Sequence, residues 1–182
     1  MLTHLRRAVV VSIVLFVLCG LAYPAFETGV AQLLFPHQAN GSLTRNGSTL
    51  AGQAFSAPRW FTGRPEPVGA SPDASGAANL GPRSSLLLKD VRRTAAQLRR
   101  AGITPTNDLV TTSGSGFDPD ISPTDAAAEA PAVARANHLS LAAVRRIIAQ
   151  NTTGRELGFL GSPRVNVLRL NEALARLEHR PR

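Results

Sequence analysis

An uncharged apolar run near the N-terminus constrains this chain more than any other feature. Residues 8–26 read AVVVSIVLFVLCGLAYPAF and carry no charge. A helix of about 19 residues, rising about 1.5 Å per residue, crosses a hydrocarbon core of about 30 Å. Arg6 and Arg7 precede the run and Glu27 follows it, which places the N-terminus in the cytoplasm by the positive-inside rule. The sequence therefore predicts one membrane anchor, with the rest of the chain outside the cytoplasm.

A cleavable signal peptide is the competing interpretation of the same run. Gly20-Leu21-Ala22 is a small-x-small cleavage site behind a charged and then an apolar region. Apolar residues resume past that site, in 30–35, and Tyr23 and Phe26 occupy positions typical of an interfacial aromatic belt. We therefore favour an uncleaved anchor. The alternative is a secreted or periplasmic binding protein released after Ala22.

The composition separates the anchor from a lean domain. About 24 of the first 35 residues, or roughly two thirds, are hydrophobic, whereas hydrophobic residues make up 43% of the whole chain of 182 residues. Such a length allows one domain of about 100 to 150 residues and excludes a multi-domain enzyme or a polytopic transporter. Cys19 is the only cysteine, which excludes a disulfide framework and a cysteine zinc site. We expect an anchor over 1–36 and a second domain over 37–182.

The charge balance gives little indication of nucleic-acid binding. The net charge of +8 comes from 20 basic and 12 acidic residues, but the arginines are spread along the chain rather than grouped with exposed aromatic residues, as nucleic-acid binding requires. The histidines have no metal-ligand spacing and no nearby nucleophile, so we predict neither a metal site nor a catalytic triad. They are His4, His37, His138 and His179.

Helix and strand signals alternate beyond the anchor. A hairpin is predicted over 43–50 around Asn46-Gly47, and the irregular segment 52–82 carries an aromatic cluster that favours order. Helices are predicted from Ser84 or Ser85 to Arg100, after Ser122-Pro123 with Pro131 as an interruption, from Ser140 to Ile148, and over 166–178; a short β-rich run covers 109–112. This mixture predicts a small α+β domain behind a single membrane helix.

The stretch 111–122 is the first candidate site. Gly114 and Gly116 lie between a predicted strand and a helix, where exposed backbone N–H groups can bind an anion. The stretch lacks the lysine of a P-loop, and Asp118 and Asp120 lack the glycine and terminal glutamate of a calcium loop. The alternative is a tight turn in which Asp and Ser side chains cap the next helix.

A second candidate site covers 53–65. It begins with Gln53 and combines aromatic residues, including Phe61, with a charged donor in Arg64. A guanidinium group binds a carboxylate through two parallel hydrogen bonds. We expect Arg64 either to hold such a ligand or to pair within the fold.

Several short motifs in one order resemble a known family. The chain is similar to the C subunit of the Kdp-type potassium-transporting ATPase (the KdpC family) over nearly its full length. The matching motifs are Gly20-Leu21-Ala22-Tyr23-Pro24, residues 34–42, residues 61–65, Ser75-Gly76 with residues 79–82, residues 113–122, residues 158–161 and residues 163–168.

The resemblance implies a non-catalytic accessory subunit in a bacterial inner-membrane complex. Its partners are a potassium-binding channel-like subunit, a P-type ATPase subunit and a small single-span subunit; ATP and potassium are ligands of the complex, and no cofactor is assigned to this chain. The family's C subunit is described as a catalytic chaperone that raises the ATP affinity of the hydrolysing subunit, although the predicted topology puts this domain on the side without ATP. Predicted partner or ligand contacts are Gln53, Phe61, Arg64, Asn79, Ser113, Ser115, Asp118 and Asp120.

Overall fold

The structure, a computed structural model, describes residues 1–55, 58–65 and 75–178. The chain divides into two compact units, Met1–Leu43 and Thr44–Arg182. The domain boundary expected after residue 36 stays a prediction. His179 lies outside the described residues.

The first unit is a long apolar helix followed by a short one. Helix α1 (Leu2–Leu15), a π-helical stretch (Phe16–Ala22) and helix α2 (Tyr23–Leu34) form one continuous helix of 33 residues, and α3 (Pro36–Ala39) follows. Pro24 has no N–H, and its ring crowds the carbonyl four residues earlier, which a π-helical turn accommodates. The helix is long and apolar enough to cross a membrane, and it covers the residues that the sequence predicts as the membrane helix.

The second unit mixes helices with short strands. The strands are β1 (Leu43–Thr44), which begins at the unit boundary, β2 (Gly47–Ser48), β3 (Asp120–Ile121), β4 (Thr152–Thr153) and β5 (Arg164–Asn166). The helices are α4 (Ser85–Arg100), α5 (Asn107–Val110), α6 (Pro123–Ala136), α7 (Leu141–Gln150) and α8 (Val167–Glu178). Strands β1 and β2 pair as a hairpin, and β5 lies between β3 and β4 in an antiparallel sheet. The observed class is the α+β class that the sequence predicts.

Serine caps start three of the helices where the sequence predicts them. Ser84 accepts a hydrogen bond from the Leu87 N–H at 3.4 Å, and Ser140 accepts one from the Ala143 N–H at 3.2 Å. At α6 the side chain of Ser122 accepts from the Asp125 N–H at 3.1 Å. The Asp125 carboxylate accepts in turn from the Ser122 N–H at 3.1 Å. This reciprocal capping box satisfies two N–H groups that the first helical turn leaves unpaired.

Helices α6, α7 and α8 pack with the β3–β5–β4 sheet around the main core. Val144, Val165, Leu170 and Leu174 are fully buried in it, and Phe61 enters it from the irregular segment. A smaller cluster of Ile103, Leu109 and Ala132 lies under α5, with Leu98 of α4 packed against it. The face of α4 predicted to be apolar is half-buried: Leu87, Val91, Ala95 and Leu98.

The predicted β-rich run over 109–112 is wrong. Residues 107–110 form helix α5, and Leu109 points into the smaller core cluster. The Thr111 hydroxyl donates to the carbonyl oxygen of Asn107 at 2.8 Å, which closes the helical turn. Burial of one leucine and this local bond outweigh the β preference of Val and Thr, because strand propensity depends on packing against neighbouring strands.

The predicted interruption of the alanine-rich helix at Pro131 is also wrong. Helix α6 continues through Pro131 to Ala136. A proline inside a helix costs about 3 kcal/mol. Seven residues of α6 are buried, including Val133 and Glu129, and burial on both sides of the proline outweighs that cost.

The predicted hairpin is confirmed, but its turn lies one residue earlier. Arg45 and Asn46 form the turn, whereas Gly47 belongs to β2. A hydrogen bond of 3.1 Å from the Thr44 hydroxyl to the Gly47 carbonyl oxygen holds this register. Strands β3, β4 and β5 are not in the sequence prediction, because runs of two or three residues show no detectable alternation.

Candidate functional site

The segment 61–64 is held between two helices by buried polar side chains. Asn171 of α8 accepts a hydrogen bond from the Phe61 N–H through Oδ1, and its Nδ2 donates to the Phe61 carbonyl oxygen; both distances are 2.9 Å. Asn171 and Phe61 are buried. One side chain thus satisfies both backbone groups of a residue that no strand pairs, as buried peptide groups require.

Thr62 makes the corresponding contact with α6. Its backbone N–H and its hydroxyl both donate to Oε2 of Glu129, at 2.9 and 2.8 Å. Glu129 is completely buried. Its other oxygen, Oε1, has no hydrogen-bond partner among the residues that the structure describes.

Burial raises the pKa of Glu129 to about 7. The two hydrogen bonds from Thr62 oppose this increase, and the nearby charge of Asp125 adds to it. Burial dominates because a carboxylate loses its hydration in an apolar core. Glu129 is therefore a carboxyl group that exchanges its proton near neutral pH while holding the segment from residue 61 in place.

Arg64 pairs within the fold rather than with a carboxylate. Its Nε donates to the Thr111 carbonyl oxygen at 3.3 Å, and its Nη2 donates to the Thr111 hydroxyl at 3.2 Å and to the Thr112 carbonyl oxygen at 3.1 Å. The sequence left two alternatives for Arg64, binding a carboxylate ligand or pairing within the fold, and in the structure Arg64 pairs within the fold. The guanidinium group fixes the chain between α5 and the glycine-rich loop that follows.

The loop 113–118 meets two other irregular segments through backbone hydrogen bonds. The Gly52 N–H donates to the Phe117 carbonyl oxygen at 2.7 Å, and the Gly76 N–H donates to the Ser115 carbonyl oxygen at 2.8 Å. The Ser75 hydroxyl donates to the same Ser115 oxygen at 2.9 Å. Three sequence-distant loops are thereby joined at one place.

Two glycines permit this close approach. Gly116 has a φ of +84°, and a Cβ there would collide with the Gly76 carbonyl oxygen. A Cβ at Gly52 would lie 2.8 Å from the Asp118 carbonyl oxygen. Gly116 of the first candidate site and Gly52 outside it thus permit the contact of backbone with backbone, for which glycine is suited; a Cβ at Gly114 would meet no atom within 4 Å.

Side chains within the same loop cap its own backbone. The Ser113 hydroxyl accepts from the Gly116 N–H at 3.0 Å and lies 3.3 Å from the Ser115 hydroxyl. Oδ1 of Asp118 accepts from the Asp120 N–H at 3.0 Å. These bonds, together with the Ser122 cap, match the tight-turn alternative.

Arg64, Asp118 and Asp120 line one cleft. The cleft encloses about 370 Å³ and is also lined by Asp108 and Arg164 among others. Oδ1 of Asp120 accepts from Asn166 Nδ2 at 3.0 Å, and its Oδ2 lies 3.4 Å from Arg164 Nε. Three of the eight predicted contact residues therefore share one surface that carries both signs of charge.

The other five predicted contact residues lie elsewhere or in the loop wall. Ser113 is buried and Ser115 is exposed in the loop next to the cleft. Gln53 donates from Nε2 to the Ser48 carbonyl oxygen at 3.2 Å and packs over Gly47. Asn79 is exposed with a φ of +51°, a conformation that asparagine tolerates. Phe61 belongs to the core.

Sequence reasoning missed Glu129 and Asn171. Glu129 follows Asp125 by four positions, so the two carboxyl groups share a helix face with Ala126 and Ala130, which are buried. Asn171 lies between Leu170 and Leu174 in the same way. A polar residue within an apolar helical stripe is a signal for a buried contact, but the sequence does not name the partner.

Comparison with known proteins agrees along nearly the whole chain. The family model described as "KdpC: K+-transporting ATPase, c chain" matches residues 5–176. A potassium-transporting ATPase KdpC subunit of Sorangium cellulosum is 51% identical over 186 residues, covering 96% of this chain and 98% of that protein. The KdpC subunit of Gloeobacter violaceus is 47% identical over 180 residues, covering 95% and 96%.

These relatives match both units of the chain, and the alternative of a secreted or periplasmic binding protein finds no support among them. The similarity includes the apolar helix, segment 61–64, the glycine-rich loop and α8. The chain belongs to the KdpC family, the c chains of K+-transporting ATPases.

Proposed function

We propose that this chain is a non-catalytic accessory subunit that helps to assemble an ATP-driven potassium uptake complex. The family match over residues 5–176 carries the proposal. Its partners are the other subunits of the complex: a potassium-binding channel-like subunit, an ATP-hydrolysing P-type subunit and a small single-span subunit. The chain supplies one apolar helix and one folded domain to this assembly.

The polar side chains of the candidate site support a non-catalytic role. Arg64, Ser113, Asp118 and Asp120 all bind backbone or side-chain groups of the fold itself. Glu129 is buried under segment 61–64 and bound to Thr62. These groups stabilise the irregular part of the domain. The surface that contacts the partner subunits is the cleft lined by Arg64 and Asp120.

The apolar helix anchors the chain in the bacterial inner membrane, with its N-terminus in the cytoplasm and residues 37–182 outside. The basic residues Arg6 and Arg7 at one end and Glu27 towards the other support this orientation. With the domain on that side, the family's effect on ATP affinity operates through assembly of the complex rather than through contact with the nucleotide. Nucleotide titration of the purified chain tests this: saturable binding that disappears when Asp118 is replaced would place a nucleotide at the loop 114–120 instead.

Deletion of residues 37–182 tests the assembly role. We expect loss of the assembled complex and of high-affinity potassium uptake in cells that express the other subunits. Intact assembly and uptake with the anchor alone would contradict the proposal. Mass measurement of the mature chain is the control for the anchor, because a protein that begins at Tyr23 has lost the membrane helix.

Cysteine labelling tests the orientation. In a Cys19→Ser background, we expect Thr153→Cys to react with a membrane-impermeant maleimide in intact spheroplasts. Thr3→Cys should react only after permeabilisation. Both sites are exposed, so the opposite pattern would reverse the topology.

A further inference from the structure

Helix α4 carries half of the net charge of the chain on one of its faces. Its 16 residues include five basic side chains and one acidic side chain, a net charge of +4, whereas the whole chain of 182 residues has a net charge of +8. At about 100° of rotation per residue, the five basic side chains fall within an arc of about 120°. All five are exposed, and we name them the basic face: Lys89, Arg92, Arg93, Arg99 and Arg100.

The fold leaves most of this charge uncompensated. Arg93 lies 3.2 Å from Asp90 on the same helix. The other four members of the basic face have no ion-pair partner among the residues that the structure describes. Lys89 is three and four positions from Arg92 and Arg93, and like charges at these spacings repel each other on a helix. An anionic partner would relieve this repulsion.

The opposite face of α4 packs against the domain. Leu87, Val91 and Leu98 are half-buried, and Leu98 packs against the smaller core cluster under α5. The fold therefore fixes the rotation of the helix about its axis and presents the basic face to solvent as one surface. A surface that is ordered before it meets a partner binds with a lower entropic cost.

Apolar side chains flank the basic face on both sides. Leu86 and Leu88 are 49% and 50% exposed, and the helical rotation puts them about 80° to either side of the centre of the basic face. A groove of about 190 Å³ beside Leu86 is lined by further apolar residues, such as Leu80 and Val110, together with Arg93. A helix that combines a face rich in Lys and Arg with exposed leucines is typical of the headgroup region of a membrane.

The composition of α4 favours a lipid surface over nucleic acid. Proteins bind single-stranded nucleic acid through basic residues combined with aromatic ones, and α4 contains no aromatic residue. A phosphate backbone offers nothing to Leu86 and Leu88, whereas the boundary between headgroups and acyl chains buries them. The same chain carries an apolar helix of 33 residues that is long and apolar enough to cross a membrane. Such a tether keeps the domain at a high effective concentration near the bilayer.

We propose that α4 rests on the membrane surface, with the basic face on the anionic headgroups of phospholipids and with Leu86 and Leu88 at the boundary with the acyl chains. The inference rests on the proposed function in one respect, because it takes its tether from the membrane anchor. Each basic residue near an anionic surface strengthens the attraction about fivefold. Because the basic face is exposed, salt weakens the contact.

A dye on α4 of the full chain reports the contact. We attach an environment-sensitive dye at Ser85→Cys in the Cys19→Ser background, and in a second chain at Ala142→Cys on α7; both positions are exposed. The labelled chains are reconstituted into vesicles of phosphatidylcholine, with or without phosphatidylglycerol. We expect a blue shift at position 85 only in the vesicles that contain phosphatidylglycerol, and we expect high salt to reverse it. The dye at position 142 should not shift.

Neutralising two arginines tests the basic face itself. Arg92→Gln combined with Arg99→Gln should lower the ratio of docked to undocked domain, read from the dye on α4, about 25-fold. Arg145→Gln combined with Arg146→Gln removes the same charge from exposed positions of α7 and should leave the shift unchanged. Trp60 fluorescence of the purified full chains checks that both double variants are folded.

The outcomes separate this inference from the proposed function. Equal emission at position 85 in both kinds of vesicle, or equal loss of the shift in the two double variants, overturns the inference and leaves the membrane anchor intact. Failure of the chain to float with either kind of vesicle contradicts the anchor and removes the tether, so it overturns both.

Two further additions identify a different partner. Without phosphatidylglycerol, a shift of the same size on assembly with the other subunits would indicate an acidic protein surface. A shift of the same size in detergent on addition of a single-stranded oligonucleotide would indicate nucleic acid. Either result overturns the inference.

Discussion

Thr62 and Glu129, 67 residues apart, are joined by two hydrogen bonds to a single carboxylate oxygen. The backbone N–H and the hydroxyl of Thr62 donate to Oε2 at 2.9 and 2.8 Å. The carboxyl group is completely buried. This contact ties the irregular segment before Arg64 to helix α6 and makes a titratable group part of the stability of the domain.

The stability of the domain should depend on the protonation of Glu129. Burial raises its pKa in the folded state to about 7 from its ordinary value of 4.5. Between these values the folded chain keeps the proton that the unfolded chain has lost, so the free energy of unfolding decreases as the pH rises from about 4.5 to 7. The loss from this group is about 3 kcal/mol and levels off above that range.

Denaturation of the full chain in detergent at several pH values, followed by Trp60 fluorescence, measures this effect. We expect Glu129→Gln to remove the decrease, because the amide does not titrate. Glu156→Gln, which replaces an exposed carboxylate elsewhere on the domain, is the control and should retain the decrease seen in the wild type. The same pH profile for Glu129→Gln and wild type would show that the buried carboxyl group is not the source.

Replacing Asn171 should destabilise the domain. Asn171→Ala leaves the N–H and the carbonyl oxygen of Phe61 buried without partners, which costs about 2–4 kcal/mol for the pair. Chemical denaturation monitored by Trp60 fluorescence gives the difference from wild type. Asn107→Ala removes an exposed asparagine and should change the free energy of unfolding by less than about 0.5 kcal/mol; equal effects of the two substitutions would contradict the assignment.

The two glycines of the loop 113–118 should differ in their tolerance of alanine. Gly116→Ala places a side chain at a φ of +84° and against the Gly76 carbonyl oxygen, whereas a Cβ at Gly114 meets open space. We expect Gly116→Ala to lower the free energy of unfolding by about 2 kcal/mol or more and Gly114→Ala to change it by less than about 0.5 kcal/mol. Thermal unfolding of both purified variants measures the difference, and a loop that tolerates both substitutions equally would refute the close contact.

Replacing Arg64 with lysine should destabilise the domain. The guanidinium group donates to Thr111 and Thr112 in a fixed fork, and an ammonium group reproduces one of these contacts at most. We expect Arg64→Lys to destabilise the domain by about 1–3 kcal/mol. Arg155→Lys, at an exposed arginine, is the matched comparison in the same denaturation experiment; a smaller effect at Arg64 than at Arg155 would remove its structural role.

Structural features that depend only on residues adjacent in the sequence could be predicted from it. The apolar run ends as a helix at Leu34, and the serines at 84, 122 and 140 cap helices where they were expected. A span needs only length and apolar composition, and a cap needs only a hydroxyl next to the first helical turn. The order of short motifs was sufficient to identify the family.

Contacts between distant residues were decided by the tertiary structure. Residues 107–110 became a helix because Leu109 enters a small core cluster. Helix α6 continues through Pro131 because residues before and after the proline are buried. Nothing near Phe61 in the sequence indicates that Asn171, 110 residues away, satisfies its backbone. The sequence by itself therefore determined the long apolar helix, the α+β class and the family. Only the tertiary structure decided which polar groups are buried together, because their cost and their compensation depend on partners that local patterns do not specify.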